Sequence, residues 1–212
     1  MYINEISYAI NFSGSKSGAP CIFVNIGTVE DKCNKKMTVS QIKTEILQFP
    51  CDLVSFVGEE PLSSEKELVK LITQLKDRNK VVIVETNNSI NPCHELRRLV
   101  DTFIVNLKCP SSGLSWTHNE YWNCSRWRDQ DEIKFTLSTN EDVQFASELI
   151  YNKIDFFRGN IYLVPVMPKM SIEKISEVAK DYGCDKRIKI QFKTNEILAS
   201  IKKGRKNGKS KK

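Results

Sequence analysis

Short apolar runs rich in β-branched residues alternate along the chain with longer segments whose apolar positions recur every three or four residues. Residues 21–26 (CIFVNI) predict a strand, and residues 38–49 predict a helix with Val39, Ile42, Ile46 and Phe49 on one face. Residues 53–57 predict a second strand, followed by a helix that Ser63 or Ser64 caps and that carries Leu68, Leu71, Ile72 and Leu75. The alternation continues through strand 81–84, a short helix at 92–99 and strand 102–107. After an irregular stretch come strand 133–137, helix 141–152, strand 161–166, helix 171–181 and strand 188–192. Continuously apolar strands separated by helices belong to a parallel sheet covered by helices, so the fold class is α/β. The pattern yields about seven strands, with the stretch 6–10 left aside, and by itself fits an open doubly wound sheet or a partial barrel. Both architectures put their site at the carboxyl ends of the strands. The junctions of interest are therefore Gly27 onward, Gly58 to Pro61, Glu85 to Asn88, and Lys108 to Gly113. No glycine-rich phosphate loop of the mononucleotide or dinucleotide type is present.

Composition narrows the class. The chain has 212 residues and a formal charge of +6, but Lys202, Lys203, Arg205, Lys206, Lys209, Lys211 and Lys212 account for the excess. Without those seven, 25 basic residues face 26 acidic ones, a net of about −1, so basicity is a property of the tail. The expected organisation is one domain over residues 1–201 and a basic, disordered tail over 202–212. Apolar runs fall far short of the roughly 20 residues that span a bilayer, and Asn4 and Glu5 interrupt the first ten residues. A cytoplasmic protein without membrane contact is expected. Seven scattered cysteines, an odd number in a mid-sized chain, argue against a disulfide framework.

The junctions also carry a resemblance. The ordered segments FSGSKSGAPCIFVNIG, VSFVGEEPL, VVIVETNNSI, VNLKCPSSGL, IKFTLSTNEDVQFA and IYLVPVMPK resemble the radical S-adenosylmethionine (SAM) enzymes that make 7-carboxy-7-deazaguanine in queuosine biosynthesis. The resemblance runs from about Ile6 to Leu198. It implies a partial (β/α) barrel of radical SAM type with mainly parallel strands, a homodimer, and a site for SAM and a pterin-like substrate at the strand ends. Gly58, Glu60, Pro61, Glu85, Thr86, Asn87, Lys108, Pro110, Ser111, Ser112 and Gly113 match family positions there. Of these, Gly58, Glu60, Pro61, Thr86, Asn87, Lys108, Ser111 and Ser112 are the candidate SAM-binding residues. A second reading of the same residues is architectural, with Pro and Ser fixing turns and Glu and Asn satisfying exposed amides.

Other positions depart from the family. A radical SAM enzyme holds its [4Fe–4S] cluster by thiolates in C-x3-C-x2-C spacing, leaving one iron for SAM. The corresponding places here read Thr28, Lys32 and Lys35, with Cys33 one position out of register. Glu59 replaces the second glycine of the family's Gly-Gly-Glu-Pro, Asn25 stands at the place of a substrate-binding arginine, and Asn88 at that of a glycine. The leading Gly-Glu-Gly-like motif reads Ser13-Gly14-Ser15, and the Asp-Thr linked with magnesium has no counterpart near Lys36 and Met37. Cys93, Cys109 and Cys124, or Cys109, His118 and Cys124 around zinc, match no standard ligand spacing. The expectation is thus a protein with no catalytic residues, metal site, iron–sulfur cluster or resident cofactor, in which SAM is the ligand the remaining pocket suits. Its expected role is that of a binding or structural subunit. An active synthase with unconventional cluster ligation, and a cluster-independent enzyme using SAM or a nucleotide, are the alternatives.

Two segments stand apart from the junctions. Trp116, Tyr121, Trp122 and Trp127 fall within twelve positions, close to Arg126 and Arg128. Packing of a connecting segment over the barrel is the first expectation for them and a subunit interface the second. Base stacking comes third, because Asp129, Asp131 and Glu132 repel phosphate. The tail cations can each neutralise a phosphate, which makes RNA, DNA or an acidic protein surface their expected partner; a solubilising terminus is the alternative.

Overall fold

The computed structural model describes residues 1–192 apart from 29, 32–34, 114–126, 153, 155, 168 and 182–186. The described strands are β1 (Tyr2–Ile10), β2 (Pro20–Ile26), β3 (Lys35–Lys36), β4 (Leu53–Gly58), β5 (Val81–Thr86), β6 (Thr102–Leu107), β7 (Glu132–Leu137), β8 (Asn160–Pro165) and β9 (Ile188–Ile190). They form one open sheet in the order β3-β1-β2-β4-β5-β6-β7-β8-β9. Pairing is parallel from β2 through β9 and antiparallel where β1 meets β2 and β3. The helices are α1 (Val39–Ile46), α2 (Glu65–Lys76), α3 (His94–Leu99), α4 (Asn140–Asn152) and α5 (Ile172–Asp181). Every helix and parallel strand expected from the pattern is present within a few residues. Strand β1 is the addition: it mixes polar and apolar residues, is buried only at Ile3 and pairs antiparallel with β2.

Alternation within the strands separates two faces. Val24, Val54, Phe56, Val84, Phe103, Val105 and Phe135 share the main core with Ile42, Ile46, Leu68, Leu71, Leu75 and Leu96 of the helices. Each fully buried side chain of this size contributes about 1.5–3 kcal/mol. The opposite face carries a smaller apolar cluster of Cys21, Leu53, Ile83 and Ile104. Two residues further along the strands that face turns polar, with Glu85 after Ile83 and Asn106 after Ile104. Lys134 lies opposite Asn106 in the β6–β7 register, so a polar band crosses β5, β6 and β7 on the side away from the helices.

Helix starts fix the strand-end geometry. Thr38 and Gln41 form a reciprocal capping box at α1. At α2 the expected serine cap is not the device used: Ser64 makes no side-chain cap bond, and Glu60 instead caps a 3-10 turn at Pro61–Ser64 that leads into the helix. Among the described residues no helix is long and apolar enough to cross a membrane.

Candidate functional site

Glu60 links two strand ends. One carboxylate oxygen accepts from the Leu62 N–H (3.0 Å), and the other from the Thr86 hydroxyl (2.7 Å) and the Asn87 N–H (3.0 Å). Burial pushes this carboxyl above its ordinary range, opposed by hydrogen bonds from Thr86, Leu62, Asn87 and Ser89. The Asn87 side chain in turn donates to the Glu59 carbonyl (3.3 Å) and accepts from the Ser89 N–H (2.9 Å). Gly58, at φ +141°, is required where it stands, because a Cβ there would overlap the Ile26 carbonyl oxygen of the neighbouring strand. Asn88, the family's glycine, lies at φ +70°, a conformation asparagine tolerates better than most residues. Its buried side-chain Oδ1 accepts from the Trp127 indole N–H (3.1 Å).

The candidate SAM-binding residues separate into two clefts. Glu60 and Asn87 line a cleft of about 330 Å³ beside Gly27, Thr28 and Glu59. Lys108, Ser111 and Ser112 line a larger groove of about 780 Å³, together with Asn106, Lys134 and Gln191. Pro61 and Thr86 are buried beneath the surface. The Ser111 N–H donates to Asp142 (2.9 Å), which also accepts from the Ser138 (2.7 Å) and Thr139 (3.0 Å) amides at the start of α4. For Glu60, Thr86 and Ser111 the architectural reading is therefore visible in the bonds, while Lys108, Ser111 and Ser112 also line the larger groove.

Sequence reasoning left Lys134 and Asn106 out of the site. Lys134 Nζ donates to Ser13 Oγ (2.8 Å) and to Glu85 Oε2 (2.9 Å), and Asn106 Nδ2 donates to the same Glu85 oxygen (3.0 Å). Burial would raise the Glu85 carboxyl, but the Lys134 charge and the bonds from Asn106, Lys134 and Ser13 outweigh it and hold the group below its ordinary range. The usable signal was Asn106 inside the apolar run of β6 and the period-two polar positions Glu132, Lys134 and Thr136 of β7. The Ser13-Gly14-Ser15 turn reaches this wall because the Gln191 side-chain amide accepts from the Gly14 N–H (3.1 Å) and donates to the Gly14 carbonyl (3.2 Å), and the Ser15 N–H donates to buried Glu132 (3.0 Å).

At the family's cluster junction the described residues make a closed turn. Asp31 accepts from the Thr28 N–H (2.8 Å) and from Asn4 Nδ2 (3.2 Å), bonds that lower its pKa. Lys35 is an exposed residue of β3, paired with Ile3 of β1. Lys32 and Cys33 lie outside the described residues. Neither a threonine hydroxyl nor a lysine ammonium supplies a thiolate, so these places do not fit the cluster. Among the described residues no group of three His, Cys, Asp or Glu side chains could hold a metal. Cys109 is buried, and burial pushes its thiol up to about 12, away from thiolate chemistry. His118, Cys124 and the tail cations from Lys202 to Lys212 also lie outside the described residues.

The aromatic stretch is described only at its end. Trp127 is 7% exposed and packs on Phe103 with ring centroids 5.3 Å apart. Arg128 pairs with buried Asp131 (2.6 Å) and donates to the Arg97 and Val100 carbonyls. At these two residues packing against the body is what occurs. Trp116, Tyr121, Trp122 and Arg126 fall in the segment outside the description.

An open, mostly parallel α/β sheet with a groove at the strand ends is the architecture of the radical SAM fold. The crystal structure of QueE from Escherichia coli is similar to it, with a TM-score of 0.62 over 90% of this chain and 93% of that one at 17% identity, which shows the fold alone. The 7-carboxy-7-deazaguanine synthase of Koribacter versatilis is 31% identical over 160 residues, 70% of each chain. Those of Methanospirillum hungatei and Clostridium acetobutylicum are 29% and 27% identical, covering 76% and 90% of this chain and 73% and 92% of their own. No family model matches the sequence. The chain belongs to the 7-carboxy-7-deazaguanine synthase family. That membership corrects the expectation that no cofactor and no iron–sulfur cluster belong to this protein: its relatives are radical SAM enzymes, whose chemistry uses both SAM and a cluster. A cluster in this chain would have to draw its thiolates from outside the family's three places.

Proposed function

We propose that this family member retains the ligand groove of the fold, binds SAM or a related nucleoside there, and does not itself cleave SAM reductively. The observation that carries the reading is the replacement of the family's cluster cysteines by Thr28, Lys32 and Lys35. Radical generation needs an electron delivered to SAM from an iron whose potential and open site thiolate ligation sets. The side chains at that junction perform no such step, whatever iron the protein acquires elsewhere. Binding asks less: Lys108, Ser111 and Ser112 line a groove of about 780 Å³, within the range of small-molecule sites.

Its role is then that of a binding or structural subunit. The basic tail from Lys202 to Lys212 would tether it to RNA, DNA or an acidic protein surface by charge neutralisation, without base-specific geometry. Thermal unfolding with and without SAM tests the groove: a ligand that binds only the folded state raises Tm, and an unchanged Tm at millimolar SAM rejects retention of the site. RNA affinity measured across salt for the full chain and for a chain ending at Ile201 tests the tether. Weaker, salt-insensitive binding after truncation is expected, and equal binding by both forms rejects it.

A further inference from the structure

The chain leaves its described part at the groove itself. Phe192, the last described residue, lines the groove wall beside Gln191, whose side-chain amide is tied to Gly14. Nine residues separate Phe192 from Lys202, and nine residues fully extended reach at most about 30 Å, so the first tail cation stays within that distance of the wall. Inside the groove the charges divide. Lys134 is neutralised by Glu85, whereas Lys108 is exposed and no carboxylate pairs with it among the described residues. Three rings share the lining: Phe23 and Phe192 are half-buried, and Phe12 is 38% exposed, with no ring contact of its own among the described residues.

An exposed ring, an uncommitted ammonium and a polycation anchored at the same wall match the repeating chemistry of one ligand class, which offers a base to stack and a phosphate to neutralise at each step. We propose that the groove receives a base of a single-stranded nucleic acid, stacked on Phe12, while Lys108 and the tail neutralise phosphates of the same strand. A duplex does not suit this site, because its bases are already stacked and their faces closed. The inference rests on the groove being a ligand site and on the tail being a tether, as proposed above, and joins the two on one ligand. Joining them makes the second contact intramolecular: a strand held by the tail meets the groove at a raised effective concentration, which a free nucleoside lacks. Stacking on one ring is worth roughly fivefold to a hundredfold in affinity and reads no base edge, so the site tolerates different bases.

The test is equilibrium binding of the full chain to oligo(dT) and oligo(rU) of about twelve nucleotides, each measured against an abasic strand of the same backbone and length. The expected result is that the strand with bases binds about tenfold or more tighter than its abasic control, and the backbone on which this gain is larger identifies the ligand as DNA or RNA. The gain should fall to about twofold or less in Phe12→Ala and be retained in Phe12→Trp. The chain ending at Ile201 should bind every strand more weakly and keep the gain, because the groove supplies it. No gain on either backbone, a gain that survives in Phe12→Ala, or a gain lost with the tail overturns the inference. If SAM still raises Tm in that case, the groove stands as a ligand site for small molecules; if it does not, the groove reading fails as well. Equal binding of all strands by the full and truncated chains overturns the tether and the inference together.

Discussion

Asn88 shows how one residue can replace another chemistry and still satisfy the backbone. At φ +70° a glycine carries no penalty and asparagine only a small one, and the side chain then repays it by closing a buried hydrogen bond to Trp127. Asn88→Ala removes the acceptor, leaves the indole N–H unpaired in the core and keeps a Cβ in the left-handed region. It should lower stability by about 1–3 kcal/mol in urea unfolding, whereas Asn88→Gly should lose less because only the hydrogen bond goes. Equal stability of Asn88→Ala and wild type would show that this bond does not hold Trp127. The family position of Asn88 was legible in the sequence, but its partner was not, since 39 residues separate the two. The same holds for Lys134 and Glu85, 49 residues apart, whose meeting depends on strand register rather than on any local motif.

Elements were legible wherever their residues are buried on both sides or follow helical period. Strands β2 and β4 to β8 read as apolar runs because helices cover one face and the hairpin or groove the other. Strand β1 is obscured by its polar residues Asn4, Glu5 and Ser7 and its mostly exposed face, and β3 by having only two residues. Cap chemistry was legible in kind but not in identity: a serine was expected at α2, and the carboxylate of Glu60 does the work from the preceding turn. At α4 the Thr139 hydroxyl caps the Asp142 N–H (3.2 Å), and the Asp142 carboxylate reaches back to the Thr139 N–H (3.0 Å). Burial would raise the Asp142 carboxyl, but the Ser111 hydroxyl and the Ser111, Ser138 and Thr139 amides outweigh that and lower it. A folded-state pKa below the unfolded value near 3.9 means stability that is present above about pH 3.9 and lost as pH falls through the folded value. In urea unfolding, Asp142→Asn should therefore be less stable than wild type at pH 7 by about 1–3 kcal/mol, and the gap should narrow below about pH 4. A gap that stays constant down to pH 3 would contradict the assigned hydrogen bonds.

For the whole molecule, the sheet, its helical cover and the strand-end groove persist where the family's redox ligands do not. The two depend on different physics. The sheet is held by an apolar core to which neither Thr28 nor Lys35 belongs, whereas a cluster depends on three thiolates at fixed spacing. Substitution at the family's three cluster places leaves the apolar core untouched, and this is why the fold was legible from the apolar pattern while the activity had to be weighed residue by residue at the junctions. Within the polar band the cation is Lys134, held from within the sheet by Glu85. The central claim, a retained groove without reductive cleavage, is tested most directly in a single sample. The full chain, reconstituted anaerobically with iron and sulfide and then reduced, is incubated with SAM, and SAM and 5′-deoxyadenosine are both quantified. The account predicts that SAM is recovered intact, with no 5′-deoxyadenosine above a protein-free control; 5′-deoxyadenosine accumulating in step with loss of SAM would contradict it.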